Sequence, residues 1–230
     1  MATRRLLLPA APLAVLVARA LRVRLSVAPW GRYWGRRALS GAPLVVALGD
    51  SLTVGTGTTR ASRSWLALFV THVEAAWGAT VAVDNRAVYG ARVADVLAAQ
   101  LPLPADAALV TLCVGSNDAG RTDPERFRLD LRTLVAQLPA GSVVGDVPEF
   151  RWGPRVPAAA QLSRVVREVV AERPDLLLAP VEEHTTGVRI LTGLAGDFFH
   201  PNDRSHRRIA DAFVTGWSQR GVLDGPDPRR

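Results

Sequence analysis

Leu44-Val45-Val46-Ala47-Leu48-Gly49-Asp50-Ser51-Leu52-Thr53 is the stretch from which the fold can be read. An apolar run from Pro43 to Leu48 stops abruptly at Gly-Asp-Ser. The run has strand length, and Gly49 can reach backbone angles closed to other residues, so it predicts a buried parallel strand ending in a tight turn. In open α/β sheets the ends of such strands are where ligands bind. That puts the Ser51 hydroxyl where a nucleophile is useful. A serine in this position also serves as a helix cap or turn residue, so its assignment depends on partners from elsewhere in the chain.

Strand-like and helix-like segments alternate from Ala42 onward. The strands are predicted at 43–48, 80–84, 108–114, 142–147 and 176–180, with helices at 64–77, 92–100, 124–138, 158–172 and 202–219. Asp123-Pro124 supplies an N-cap and a first-turn proline, and Pro201-Asn202-Asp203 opens the last helix. Crossovers long enough for helices imply a parallel sheet covered on both faces. The expectation is one doubly wound α/β domain over 42–222, with a five-stranded parallel sheet and a flexible tail at 223–230.

Composition fits a chain with one large core: 230 residues, 48% hydrophobic and 21% charged. The single cysteine, Cys113, excludes an intramolecular disulfide and a multi-cysteine zinc site, and its place in a strand-like run predicts a buried, inert thiol. The formal charge of +7 suggests nucleic acid until it is located. Eight of the 28 basic residues precede Asp50, where there is no acidic one, which leaves 20 against all 21 acids in the remainder. The body is therefore near neutral, which weakens a nucleic-acid reading, since that expects a basic face on the folded domain, and no nucleic-acid partner is expected.

The N-terminal part, 1–41, reads as a basic, apolar extension and linker. Residues 6–18 carry no charge and are flanked by Arg4, Arg5, Arg19, Arg22 and Arg24; they are too short to span a bilayer as a helix. Three templates apply. The first is a basic amphipathic segment on a membrane surface, with Leu16, Ala20, Val23 and Leu25 near one helical face. The second is a helix packing on the domain. The third is a signal peptide, which the arginines beyond Ala18-Arg19-Ala20 disfavour. The order of preference predicts a cytoplasmic protein, or one peripheral on the inner membrane face. Pro29–Gly41 reads as a linker or interfacial collar.

Three loops after predicted strands carry distinctive residues: Gly49-Asp50-Ser51-Leu52, Asp84 to Gly90, and Gly115-Ser116-Asn117-Asp118. In a parallel sheet they emerge at one edge, so Ser51, Gly90 and Asn117 can converge. A glycine N–H and an asparagine amide are suitable donors to a developing oxyanion. A base is then needed. His72 and His184 have packing or surface roles by default, and His206, early in the last helix, reads as solvated or cap-region. His200 stands in the loop before that helix, with Asp197 three residues earlier, close enough to hold Nδ1–H while Nε2 faces a hydroxyl. An Asp-x-x-His loop alone is also compatible with a turn carrying a surface histidine.

The four blocks taken together, Gly49-Asp50-Ser51-Leu52, Gly90 in Asn-x4-Gly, Gly115-x-Asn117-Asp118 and Asp197-x-x-His200, resemble in order and spacing the SGNH hydrolase (GDSL esterase/lipase) family. The resemblance covers about residues 43–220. It implies a three-layer α/β/α fold of flavodoxin-like topology and hydrolysis of a small-molecule ester with no metal or other cofactor. By position, Ser51 is the expected nucleophile, His200 the base and acid, and Asp197 its orienting partner. The Ser51 and Gly90 N–H groups and the Asn117 side chain are the expected oxyanion hole; Asp50 and Asp118 are expected to brace loops. Residues outside the four blocks decide the ester. Phe198, Phe199 and Phe150-Arg151-Trp152 are candidates for an acyl pocket, and the N-terminal extension favours lipid-like esters.

The sequence admits two other readings. A flavin-binding, flavodoxin-like protein would use Val54-Gly55-Thr56-Gly57-Thr58-Thr59 to cradle a phosphate, although that loop lacks the Gly-Lys-Ser/Thr of a nucleotide P-loop and leaves Asn117, Asp197 and His200 unexplained. A catalytically inactive scaffold of the same fold is disfavoured by the intact residue set.

Overall fold

Residues 44–49 become the second strand of a five-stranded parallel sheet, and the chain turns directly from it into a helix. The computed structural model describes residues 10–35 and 41–219. Its elements are α1 (Ala10–Leu25), α2 (Val27–Gly35), β1 (Leu44–Gly49), α3 (Ser51–Val54), α4 (Trp65–Trp77), β2 (Ala82–Asn85), α5 (Val93–Ala99), β3 (Ala107–Cys113), α6 (Pro124–Val135), β4 (Val143–Gly145), α7 (Val156–Ala171), β5 (Leu177–Ala179), α8 (Val181–Thr185), α9 (Ile190–Gly193) and α10 (Asp203–Ser218). The sheet order is β2-β1-β3-β4-β5, all pairs parallel. This is the flavodoxin-like order, with a switch point between β1 and β3 where ligands gather.

Side chains alternate across the sheet, and β1 shows the consequence. Val45 and Ala47 enter one core with Trp65, Phe69, Ile209 and Phe213 from α4 and α10. Val46 and Leu48 enter the other with Phe127, Leu131, Leu162 and Val166 from α6 and α7. The first core is built on aromatics: Trp65 stacks on Phe213 with ring centroids 4.0 Å apart. Burying both faces of the central strands explains why they read as continuous apolar runs.

Gly49 closes β1 with φ at 147°, and a Cβ there would lie 2.2 Å from the Cys113 carbonyl oxygen. Its N–H and C=O leave the ladder and are both satisfied by the buried amide of Gln100, at 2.8 Å each. The predicted strands and long helices are present. β4 and β5 are shorter than expected, at three residues each; just beyond β4, the Asp146 carboxylate accepts from the Glu182 N–H at 2.7 Å and pairs with Arg167 at 3.0 Å. The short helices α3, α8 and α9 carry too few residues to show a period.

Within the N-terminal region the described residues include two helices. Pro29–Gly35 lies in α2, and Trp34 is only 3% exposed. The indoles of Trp30 and Trp34 donate to the carbonyls of Gly55 and Val54, at 3.2 and 3.3 Å, so α2 is tied to the turn behind Ser51. Helix α1 runs close over Gly196, where a Cβ would come within 2.6 Å of Arg19 Cβ. Val23 and Leu25 do not share a face: Val23 is 9% exposed and Leu25 65%, as two positions apart lie roughly 200° around a helix. Among the described residues no helix is long and apolar enough to cross a membrane. Residues 1–9, 36–40 and the expected tail at 223–230 lie outside the described residues.

Candidate active site

The loops after β1, β2 and β3 and the segment before α10 meet at one edge of the sheet. Asp50 caps α3, its Oδ1 accepting the Leu52 N–H at 2.9 Å. Capping holds the four-residue helix in place and turns Ser51 toward the edge. Ser51 is 4% exposed, and its Oγ lies 3.1 Å from His200 Nε2. His200 Nδ1 lies 2.6 Å from Asp197 Oδ2. Ionised Asp197 can only accept, so Nδ1 carries the ring proton and Nε2 is free to accept from the hydroxyl.

The 195–200 loop is built to hold this pair. The Ala195 N–H donates to the His200 carbonyl at 2.7 Å, and the Phe198 N–H to the Ala195 carbonyl at 3.0 Å. Asp197 Oδ1 accepts the N–H groups of Phe199 and His200. Phe198 takes φ 55°, a left-handed value that costs a non-glycine residue energy, and its carbonyl accepts from the Trp152 indole at 3.2 Å. Burial opposes ionisation of Asp197, but the hydrogen bonds from His200 and the two N–H groups prevail and hold its pKa below the ordinary value. The His200 ring is flanked by Phe199 and Tyr89, with centroids 5.0 and 5.5 Å away.

Gly90 takes φ 82°, and no atom would obstruct a side chain there, so the backbone angle is what calls for glycine. Asn117 is 8% exposed, and its Nδ2 already has two acceptors, the Ala91 carbonyl at 3.0 Å and Asp50 Oδ2 at 3.3 Å. Asp50 is fully buried, and its burial raises its pKa to about 7. Asp118 takes the Val93 N–H at 3.1 Å and the Thr122 hydroxyl at 2.7 Å, which fixes the start of α5 behind Gly90. Its pKa is also raised, mainly by burial.

A cavity of about 430 Å³ opens over Ser51 and His200. Phe150, Arg151, Trp152, Phe198 and Phe199 line it, together with Ser116, Arg121, Glu149, Arg155 and Leu194, which sequence reasoning did not single out. They come from the loops after β3 and β4, from the residue that opens α7 and, for Leu194, from the end of α9, segments with no shared local pattern. His206 corrects the sequence reading. It is 0% exposed: Nδ1 accepts the Trp65 N–H at 3.2 Å, and Nε2–H donates to the Thr56 carbonyl at 3.0 Å. Burial lowers its pKa to about 4. One turn into α10, it faces the core between α4 and the loop after α3. Cys113 is buried, as expected, and burial raises its pKa.

The Gly/Thr loop after α3 is spent on the protein itself. The Thr59 N–H and hydroxyl both donate to Asp203, each at 2.7 Å, and the Thr58 hydroxyl donates to the Gly55 carbonyl. A carboxylate where a phosphate would sit disfavours the flavin reading.

Residues 47–208 match the model of a GDSL-like lipase/acylhydrolase family. No match is found among curated protein sequences. Several solved structures are similar. A lipase/acylhydrolase from Enterococcus faecalis aligns with a TM-score of 0.63 at 23% identity, over 80% of this chain and 98% of that one. Axe2, an acetylxylan esterase from Geobacillus stearothermophilus, aligns with a TM-score of 0.58 at 21% identity, over 79% and 96%. TesA gives 0.60 at 25% identity, over 75% and 97%.

Proposed function

Because the chain belongs to the GDSL-like lipase/acylhydrolase family, whose members act on esters, we propose that it cleaves carboxylic esters through an acyl-enzyme on Ser51. Ser51 Oγ attacks the ester carbonyl as His200 Nε2 takes its proton, and Asp197 stabilises the imidazolium that results. The oxyanion is received by the N–H groups of Ser51 and Gly90 and by Asn117, whose longer bond to Asp50 gives way to the stronger acceptor. The alcohol leaves with the proton from Nε2. A water then gives its proton to Nε2, attacks the acyl carbonyl and returns Ser51 to its hydroxyl form.

The observation that carries this reading is the unbroken chain from Ser51 Oγ to His200 to Asp197, at 3.1 and 2.6 Å, on the floor of a cavity. The apolar side chains of Phe150, Trp152, Phe198 and Phe199 support an acyl pocket above it. The test is turnover of short- and medium-chain p-nitrophenyl esters by the full chain beside Ser51→Ala. The variant is expected to lose ~10⁴-fold or more in kcat. Turnover surviving in Ser51→Ala, or none from the folded parent on any ester, would overturn it.

A further inference from the structure

The wall of the active-site cavity carries more positive charge than ester hydrolysis needs. Arg121, Arg151 and Arg155 all line it, against one carboxylate, Glu149. Arg151 pairs with Glu149 through Nη1, but its Nη2 is buried and has no acceptor. Arg121 and Arg155 have no carboxylate partner among the described residues, whereas Arg63, Arg86, Arg126, Arg132, Arg167 and Arg173 each sit on one. Burial lowers the pKa of Arg155, and the charge of Arg121 pushes it the same way, so the two guanidiniums face each other's field. Ser116 Oγ, also part of the lining, is buried without a partner.

Like charges held together beside an apolar cavity raise the free energy of the site unless an anion enters. The apolar part of the lining, with Phe150, Trp152, Leu194, Phe198 and Phe199, suits an acyl chain. Guanidinium forks match the oxygens of a phosphate, and the charge of a phosphate group near pH 7 balances the Arg121–Arg155 pair. A carboxylate would supply half of that, and one, Glu149, is already present.

We propose that Arg121, Arg151 and Arg155 form an anion subsite beside Ser51, and that the preferred substrates are acyl esters or thioesters bearing a phosphate group. This rests on the ester-hydrolase reading above and narrows its substrate class. The phosphate can lie close to the scissile bond, as in a 1-acylglycerol 3-phosphate, or far from it, as in an S-acyl phosphopantetheine.

The test uses the full chain and two matched pairs of hexanoyl substrates. One pair is the acylglycerol phosphate and its uncharged acylglycerol; the other is the acyl phosphopantetheine and the acyl pantetheine. At least one phosphorylated member is expected to exceed its neutral partner in kcat/KM by ~10-fold or more, the loss typical of one charge-assisted contact. The pair that shows it tells where the phosphate sits. Arg121→Gln with Arg155→Gln should bring that ratio near one, and Arg155→Glu should shift preference toward an acylcholine. Added salt should lower the ratio in the parent, since Arg121 is exposed.

A measurement that needs no variant is inhibition of p-nitrophenyl ester turnover by hexyl phosphate against hexanol, with the phosphate expected to be stronger by ~10-fold or more. Ratios near one in the parent for both pairs, a ratio that survives in the double variant, or equal inhibition by the two hexyl compounds would overturn the anion subsite. Ser51-dependent turnover of p-nitrophenyl esters in the same assays would then leave the hydrolase reading standing. Its absence in folded protein would remove both.

Discussion

His206 is held neutral inside the protein, and the consequence for stability can be worked through. Its pKa falls from 6.5 to about 4 because burial penalises the charged ring, and both ring nitrogens have partners only in the Nε2–H tautomer. The unfolded chain therefore binds the proton first. Stability carried by this residue is present above pH 6.5 and is lost as pH falls toward the folded pKa. Between pH 7.5 and pH 4.5 the linkage integral gives a loss of about 2.5 kcal/mol from this one group. The total pH profile will not show it cleanly. Asp50 and Asp146, raised to about 7 and about 6, contribute with the opposite sign over the same range, because in them the folded state binds the proton first.

A difference measurement isolates the histidine. Urea unfolding of the parent and of His206→Gln is compared at pH 7.5 and pH 4.5. The substitution should destabilise by roughly 2–4 kcal/mol at the higher pH, from a broken pair of buried hydrogen bonds and imperfect packing. That penalty should shrink by about 2.5 kcal/mol at the lower pH, where the parent carries the proton-linked cost and the variant does not. A penalty constant to within about 0.5 kcal/mol, the usual limit for uncoupled effects, would show that His206 is not held neutral and would refute the reasoning.

Two further substitutions test other parts of the structure. Asn117→Ala should lower kcat by at least ~10-fold with the protein still folded, because one oxyanion donor is lost; unchanged turnover would remove Asn117 from the mechanism. Trp34→Ala should cost about 3–5 kcal/mol in urea unfolding, the range for a large aromatic leaving a core, as should removal of residues 1–35. A cost below about 1 kcal/mol would mean that α2 contributes little to the fold.

The alternating segments from Ala42 onward and the four motif blocks were legible because they depend on short-range rules. Apolar runs of strand length mark strands buried on both faces. Gly49 and Gly90 mark turns that need positive φ, and an Asp three residues before a His can reach its ring. Those rules make Ser51, Asp197 and His200 candidates, and the family resemblance assigns their roles, but neither brings Ser51 within 3.1 Å of His200 across an interval of 149 residues. Parallel pairing brings the loops after β1, β2 and β3 to one edge, and the packing of α10 on α4 carries the His200 segment to it.

What needed the tertiary structure is whatever depends on which face meets which. Helical periodicity does not show that His206 points inward, or that Trp34 of a segment resembling a linker caps the turn behind Ser51. Nor does any local pattern gather Arg121 with Arg151 and Arg155, because Arg121 follows β3 while the other two lie between β4 and α7, and their charges interact only once the chain has closed around the cavity. Sequence determined the strands, the turns and the reactive residue types, each set by neighbours within a few positions. The folded chain decided burial, and with it the protonation of His206 and Asp50 and the charge of the pocket, because desolvation is a property of the packed surroundings and not of the residue.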